Sequence, residues 1–418
     1  MAARAASRVA SAASRFTAVP KGPEDAILGV TLAYKNDPAP VKLNLGVGAY
    51  RDDAGKPFVL KSVRAAEKEL LEMDRDMEYQ PVAGNKEFSA NAVKLALTDK
   101  DPYVQAGQYA AVQTLSGTGA CRMAGEFLRR FHSTNLVLMP DPTWANHIPI
   151  FKDAGCEVGK LRYYDKGTCG LDFDGFLADL NDAPENAVVL LHACAHNPTG
   201  VDPLPEQWDE ISRVMAKRNL QPLFDMAYQG FTSGNVDTDA YAVRKFVEDG
   251  HRIILAQSFS KNFGLYGHRV GNLSFLTDSK DEATAIESQL KIIARPMYSN
   301  PPIHGVHVVN KVLSSPELES LWREEMEGMA ARIISMRKLL REGLEKRGNP
   351  HSWKHVTNQH GMFCFSGLTP EQVDELKEHH HVYLTRNGRI SMAGVTTGTV
   401  DHLAESIHQV TKDAELAH

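Results

Sequence analysis

The sequence predicts an α/β fold: a large unit with a mostly parallel sheet covered by helices, and a smaller α+β unit built from both chain ends. Three observations carry this. Between Ala111 and Ala256, short apolar runs alternate with amphipathic stretches, the pattern of βαβ units. After Pro316 the style changes to one long helical stretch followed by short strands and a final helix. The 418 residues are 43% hydrophobic and 23% charged, an ordinary globular composition with enough chain to bury a large core.

Ala111–Leu115 reads as the first strand, with a turn at Ser116-Gly117-Thr118-Gly119 and then helical spacing at Ala120, Ala124, Phe127, Leu128 and Phe131. Leu136–Met139 is a strand broken by Asp141-Pro142. Val188–Leu191 is another, ended by Asn197-Pro198-Thr199-Gly200. A helix opens on Pro205 and carries Trp208, Ile211 and Met215 on one face. Pro222–Phe224 and Ile253–Ala256 are further strands. Pro316–Gly348 is helical, with Met326, Met329, Ile333 and Met336 in register. Met362–Phe365 and Val382–Thr385 read as strands, and the chain is helical from Val400. We divide the chain into a leader over 1–20, an arm and part of the smaller unit over 21–57, the large unit over 58–335, and the rest of the smaller unit over 336–418.

The first 20 residues carry Arg4, Arg8 and Arg15, many Ala and Ser, and no acid before Glu24, with no long apolar core. That is the pattern of a mitochondrial transit segment and predicts a matrix destination; a disordered basic tail is the alternative. The net charge of −6 and the lack of a basic block argue against general nucleic-acid binding. Apolar runs such as Ala187–Leu191 fall far short of the roughly 20 residues a membrane helix needs. Five scattered cysteines with no C-x-x-C predict free thiols in a reducing compartment.

Polar residues follow the apolar runs repeatedly: Ser116 and Thr118, Trp144, Asn197, Asp225 and Tyr228, Ser258 and Lys261. Open α/β sheets bind ligands at the carboxyl ends of their strands, so five strand ends deliver polar groups to one edge. Ser116-Gly117-Thr118-Gly119 suits a phosphate, because glycine admits close approach and a helix start offers free N–H groups. The dinucleotide and Walker patterns both fail there, since Arg122 stands where a third glycine is needed and no Gly-Lys-Ser/Thr follows. A plain turn is the competing reading.

Lys261 lies in Ser258-Phe259-Ser260-Lys261, flanked by Phe259, Phe263 and Leu265. Desolvation of that kind keeps an amine neutral and able to form a Schiff base. A serine nucleophile in a Ser-x-x-Lys motif would need Ser-Asp-Asn and Lys-Thr-Gly elsewhere, and neither occurs. Asp225 ends a strand, where a carboxylate suits a protonated pyridine nitrogen. At about 4 Å and an effective dielectric of about 20 the attraction is about 4 kcal/mol before desolvation. A helix N-cap is the competing role for it. His192 and His196 stand four apart, but the segment ends an apolar run and carries no H-E-x-x-H pattern, so we read them as structural and predict no metal.

Asn197-Pro198-Thr199-Gly200, Ser258-Phe259-Ser260-Lys261-Asn262 and Gly388-Arg389-Ile390-Ser391 resemble the signature segments of fold-type-I aminotransferases dependent on pyridoxal 5'-phosphate (PLP). Asn44–Arg51, Ser116–Ala120 and Arg295–Pro302 resemble the aspartate-specific branch of that family, and the likeness runs from about Gly22 to the C-terminus. It implies a seven-stranded sheet in a PLP-binding domain. It also implies ping-pong transfer of the amino group from L-aspartate to 2-oxoglutarate, giving oxaloacetate and L-glutamate through a pyridoxamine form. Lys261 would carry the cofactor and shuttle the proton. Asp225 would pair with the ring nitrogen, supported by His147. Tyr228 and Asn197 would bind the ring 3'-oxygen, and Trp144 would stack on the ring. Ser116, Gly117, Thr118, Ser258 and Arg269 would hold the phosphate, with Tyr79 from a neighbouring subunit. Arg389 would take the substrate α-carboxylate beside Gly48, and Arg295 of the other subunit the distal carboxylate. A homodimer with shared sites follows.

Two positions depart from or blur that pattern. Gly267-His268 precedes Arg269 where the family has Asn or Gly and then Glu, which puts the charge near the phosphate in question. Arg386 lies three residues from Arg389, and only the Gly-Arg-Ile-Ser context selects Arg389. Two other functions compete: an aromatic or broad-specificity aminotransferase, and a binding module on an inactive scaffold. Every expected catalytic position is filled, which weighs against the second; absence of a bound chromophore would revive it.

Overall fold

The computed structural model describes residues 14–22, 26–414 and 416. Residues 1–13, which hold Arg4 and Arg8 of the expected leader, lie outside them.

The centre is a seven-stranded sheet: β1 (Tyr109–Leu115), β2 (Leu136–Asp141), β3 (Glu157–Arg162), β4 (Val188–His192), β5 (Gln221–Met226), β6 (Ile254–Ser258) and β7 (Val270–Leu276). Their order across the sheet is β1-β7-β6-β5-β4-β2-β3. All neighbours pair parallel except β7, which runs antiparallel to both β1 and β6. β1 therefore points the same way as the other five, and its carboxyl end reaches the same edge as theirs. The amino end of β7 lies at that edge too.

The inner strands β4 to β7 are buried on both faces, which is why they read as largely apolar runs rather than alternating ones, while the edge strand β3 leaves Glu157, Lys160 and Arg162 exposed. Val188, Leu190, Leu223, Ile254 and Ala256 pack on one side with helix α2 (Ser116–Phe131). Val189, Leu191, Phe224 and Leu255 pack on the other with Trp208, Ile211 and Met215 of helix α3 (Pro205–Lys217).

Ser116-Gly117-Thr118-Gly119, expected as a turn, is instead the first turn of α2 itself. The chain enters the helix abruptly through Ser116 at φ +63°. A β-carbon on Gly117 would stand 3.0 Å from Cβ of Ser258, so packing against β6 sets the glycine.

The chain ends meet in a separate core. Leu43-Asn44 pairs parallel with Val382-Tyr383, a strand shorter than the expected Val382–Thr385. Phe363–Phe365 pairs antiparallel with Arg389–Ser391, which the sequence presented only as a motif. Helix α1 (Ala26–Asn36) packs beside them. The long helix α4 (Pro316–Lys346) buries Trp322, Met326, Met329, Ile333 and Met336. Its start is fixed by Ser315, whose side chain accepts from Leu318 N, and by Pro316 in the first turn. All five cysteines are buried free thiols. Among the described residues no helix is long and apolar enough to cross a membrane.

Candidate active site

The strand ends open into a cavity of about 280 Å³ lined by Ser116, Gly117, Thr118, Trp144, Asn146, His192, Asn197, Asp225, Ala227, Tyr228, Ser258, Lys261 and Arg269. Ten of these thirteen were expected as site residues; Asn146, His192 and Ala227 were not. Residues up to 153 positions apart in sequence meet because parallel strands return their carboxyl ends to one edge.

One end gathers hydroxyls and positive charge. Ser116 Oγ lies 3.0 Å from Ser258 Oγ and 2.9 Å from Ser260 Oγ. Arg269 Nη1 donates to Ser260 Oγ at 3.3 Å and to the Tyr266 carbonyl at 2.9 Å. Among the described residues no acid pairs with Arg269. The free N–H groups of the first turn of α2 open on the same end. His268 does not alter this by contact: its ring lies 5.4 Å from that of His304, and the space around Gly267 is open. Ser260 was missed, although Ser258-x-Ser260-Lys261 offered the signal of two hydroxyls on one turn.

The other end holds a buried carboxylate. His147 Nε2 lies 3.0 Å from Asp225 Oδ2, while Thr143 Oγ1 lies 2.9 Å from both His147 Nδ1 and His192 Nε2. Burial would raise the Asp225 pKa, but the His147 hydrogen bond and the electrostatic pull of His147 and Lys261 outweigh it and lower it. Burial, then the His147 charge, holds His192 down at about 3, so it stays neutral. His192 ends a strand, and its ring lies tilted at 44° to that of His196 with centres 4.1 Å apart. Cys121, His147 and Asp225 offer atoms within 4.8 Å of one another, yet both His147 nitrogens are already engaged. Trp144 crosses His147 edge-on at 5.1 Å.

Between these ends stands Lys261, its amine 4.9 Å from the centre of the Tyr228 ring. Burial lowers the amine to about 8, and the Arg269 and Arg389 charges add to that against the pull of Asp225. Asn197 Nδ2 donates to Tyr228 Oη at 3.2 Å. Burial raises the Tyr228 hydroxyl, which remains protonated and a donor.

Arg389 reaches this edge from the second core. It is 5% exposed, with Nη2 donating to the Gly46 carbonyl at 2.7 Å and Nη1 to Asn197 Oδ1 at 3.3 Å. Its guanidinium lies 4.2 Å over the Phe363 ring, and its Nε is buried without a partner. A β-carbon on Gly48 would stand 2.6 Å from Phe363, so only glycine fits there. Arg386 instead forms an exposed ion pair with Asp374 at 2.7 Å. Tyr79 is 82% exposed, and Arg295 donates to Ser299 Oγ at 2.7 Å; neither lines the cavity within this chain.

The donor set fits a flat, ring-protonated phosphate ester bearing a carbonyl. An anion cradle lies at one end, a carboxylate at the other, a poised amine between them, and the glycine at 117 leaves room where a side chain would crowd Ser258. The unpartnered guanidinium nitrogen of Arg389 beside it fits a substrate carboxylate.

Residues 40–407 match the family described as aminotransferase class I and II. A mitochondrial aspartate aminotransferase of Arabidopsis thaliana is 54% identical over 97% of this chain and 94% of its own. One from Dictyostelium discoideum is 53% identical over 94% and 93%. Among solved structures, an aromatic-amino-acid aminotransferase from Burkholderia pseudomallei, covalently bound to pyridoxal phosphate, superposes with a TM-score of 0.93. It is 44% identical over 96% of this chain and 100% of its own.

Proposed function

The chain belongs to the class I and II aminotransferases, and on that premise we propose how its site works. The enzyme moves the amino group of L-aspartate to 2-oxoglutarate, giving oxaloacetate and L-glutamate, with PLP as cofactor. The observation that carries the site assignment is Lys261, an amine lowered to about 8 in the same cavity as the Asp225 carboxylate.

Bound PLP supplies a carbonyl that takes up the amino group and a ring that draws electrons from the α-carbon. The protein does the rest. Asp225 holds the proton on the ring nitrogen, and His147 holds Asp225. Ser116, Gly117, Thr118, Ser258 and Arg269 bind the phosphate, joined by Tyr79 of a second copy. Asn197 and Tyr228 donate to the ring oxygen, and Trp144 covers the ring face. Arg389, beside Gly48, binds the α-carboxylate as a planar fork. Lys261 would hold the cofactor through its amine and carry the proton from the substrate α-carbon. Arg295 of the partner copy binds the distal carboxylate, so the working unit is a homodimer.

The division at 57 and 335 belongs to this reading, with the second boundary inside α4. So does delivery to the mitochondrial matrix by residues 1–20, supported by the composition of that segment and by the names of the relatives.

The test is an absorbance spectrum of the purified protein. A visible cofactor band should vanish on adding aspartate and return on adding 2-oxoglutarate; a protein with no such band overturns the reading. A broad-specificity reading rests on the likeness to the Burkholderia aromatic-amino-acid enzyme. Comparing kcat/KM for aspartate and phenylalanine decides between the two, and Arg295→Ala should harm aspartate far more.

A further inference from the structure

Asn197 and Tyr228 meet at 3.2 Å, yet each sits on an irregular loop with no ladder to fix it. The Asn197 loop is conformationally costly, since Ala195 takes φ +51°, a left-handed value that a non-glycine residue holds only when its surroundings demand it. Asp202 makes that demand. Its two oxygens accept from consecutive backbone groups, Ala195 N at 2.6 Å and His196 N at 2.9 Å. The loop after Tyr228 is gathered in the same way. Asp239 Oδ2 accepts from Gly230 N at 2.8 Å and Thr232 N at 2.9 Å, and Oδ1 from Ser233 N at 3.0 Å and Ser233 Oγ at 2.6 Å.

Both acids line a second cavity, of about 510 Å³, which shares no lining residue with the first. They therefore lie behind the two loops and reach the reacting groups only through them. Among the described residues neither acid has a cationic partner in an ion pair. Burial, with their mutual repulsion, raises Asp202 to about 6, and burial raises Asp239 as well. A desolvated carboxylate without a counter-ion is costly to keep, and here each of its two oxygens takes one N–H, so an amide in its place would turn an NH2 donor against one of the two.

We propose that Asp202 and Asp239 are positioning residues that aim Asn197 and Tyr228 at the cofactor's ring oxygen. The proposal rests on the assignment of Asn197 and Tyr228 to that oxygen. Two donors aimed at the oxygen stabilise its ionised form, so slackening either loop raises the pH at which the bound cofactor's visible band titrates.

The experiment follows that band against pH in the cofactor-loaded wild type, Asp202→Asn, Asn197→Ala and the double variant, with thermal melting as a check on folding. Asp202→Asn should raise the midpoint by about one pH unit. The shift should vanish when Asn197 is already alanine, because Asp202 acts only through it. An unmoved midpoint, or a shift that simply adds in the double variant, overturns the proposal. If Asp202→Asn does not fold, Asp202→Glu, which keeps the charge but displaces it, is read in the same way. A wild type with no titrating band would instead refute the cofactor assignment itself.

Discussion

The Nε2 atom of His147 stands 3.0 Å from Oδ2 of Asp225, and its other nitrogen is fixed 2.9 Å from the Thr143 hydroxyl. The imidazole is thereby committed to one orientation, with its edge against the carboxylate. Burial works to raise the Asp225 pKa; the His147 hydrogen bond leads the effects that bring it down. A carboxyl lowered in the fold contributes stability above the unfolded value of about 3.9 and loses it as pH falls through the folded value. His147→Ala removes the leading stabilising contact, so the acid limb of the kcat profile should move to higher pH. Asp225→Asn should lower kcat by between about 10- and 1,000-fold, up to the roughly 4 kcal/mol of a pair at an effective dielectric of about 20. A His147→Ala profile with an unmoved acid limb would contradict the assigned support.

Lys261 offers a test free of turnover. Its amine is lowered to about 8, mainly by burial. The protonated form is thus disfavoured in the fold relative to an unfolded lysine near 10.4, a penalty present below pH 8 that fades between about 8 and 10.4. Covalent uptake of PLP by cofactor-free protein needs the neutral amine. Its rate, followed by stopped-flow absorbance, should therefore rise with pH around a midpoint near 8, and Lys261→Ala should take up none. A midpoint near 10 would mean that the lysine is not desolvated.

Much of the site was legible because parallel strands impose a rule: whatever follows an apolar run lands on one edge. Lys261, Asp225, Asn197 and Ser258 were readable from that placement alone. Three features were not. The Ser-Gly-Thr-Gly segment reads as a turn because two glycines weaken a helix, whereas the close approach of Ser258 on β6 calls for Gly117 and that of Leu115 for Gly119. Thr143 and Ser260 carry no motif, and their importance lies in bridging two other side chains each. The Gly46 carbonyl that orients Arg389 is a backbone atom 343 residues away, which no residue pattern announces. In the fold, the pairing of Leu43-Asn44 with Val382-Tyr383 depends on a meeting of chain ends that local periodicity does not encode.

The two neighbouring arginines should separate cleanly. Arg389 is buried, aimed by Gly46 and Asn197, and keeps a nitrogen without a partner. Arg389→Lys retains charge but loses the fork, and kcat/KM for aspartate and for 2-oxoglutarate should both fall by about 10- to 100-fold. Arg386 spends its guanidinium on exposed Asp374, an interaction worth little in water. Arg386→Ala should leave both constants within about twofold. Equal losses at the two positions would reverse the assignment.

The last prediction concerns Arg295, which within one chain bonds Ser299 and stands outside the cavity. If it serves the partner's site, two defective chains can repair each other. Lys261→Ala disables the chain's own site, and Arg295→Ala disables the distal-carboxylate contact in its neighbour's. In a mixed dimer of the two, one site collects both defects. The other takes Lys261 from the Arg295→Ala chain and Arg295 from the Lys261→Ala chain, and is intact. Half of randomly reassociated dimers are mixed, each with one good site of two, so co-refolding should restore about a quarter of wild-type activity on aspartate. If Arg295 instead served its own chain, no mixed dimer would hold a complete site and the activity would stay at the level of the separate variants. The yield on co-refolding thus reads out the sharing of sites directly, without a structure of the assembly.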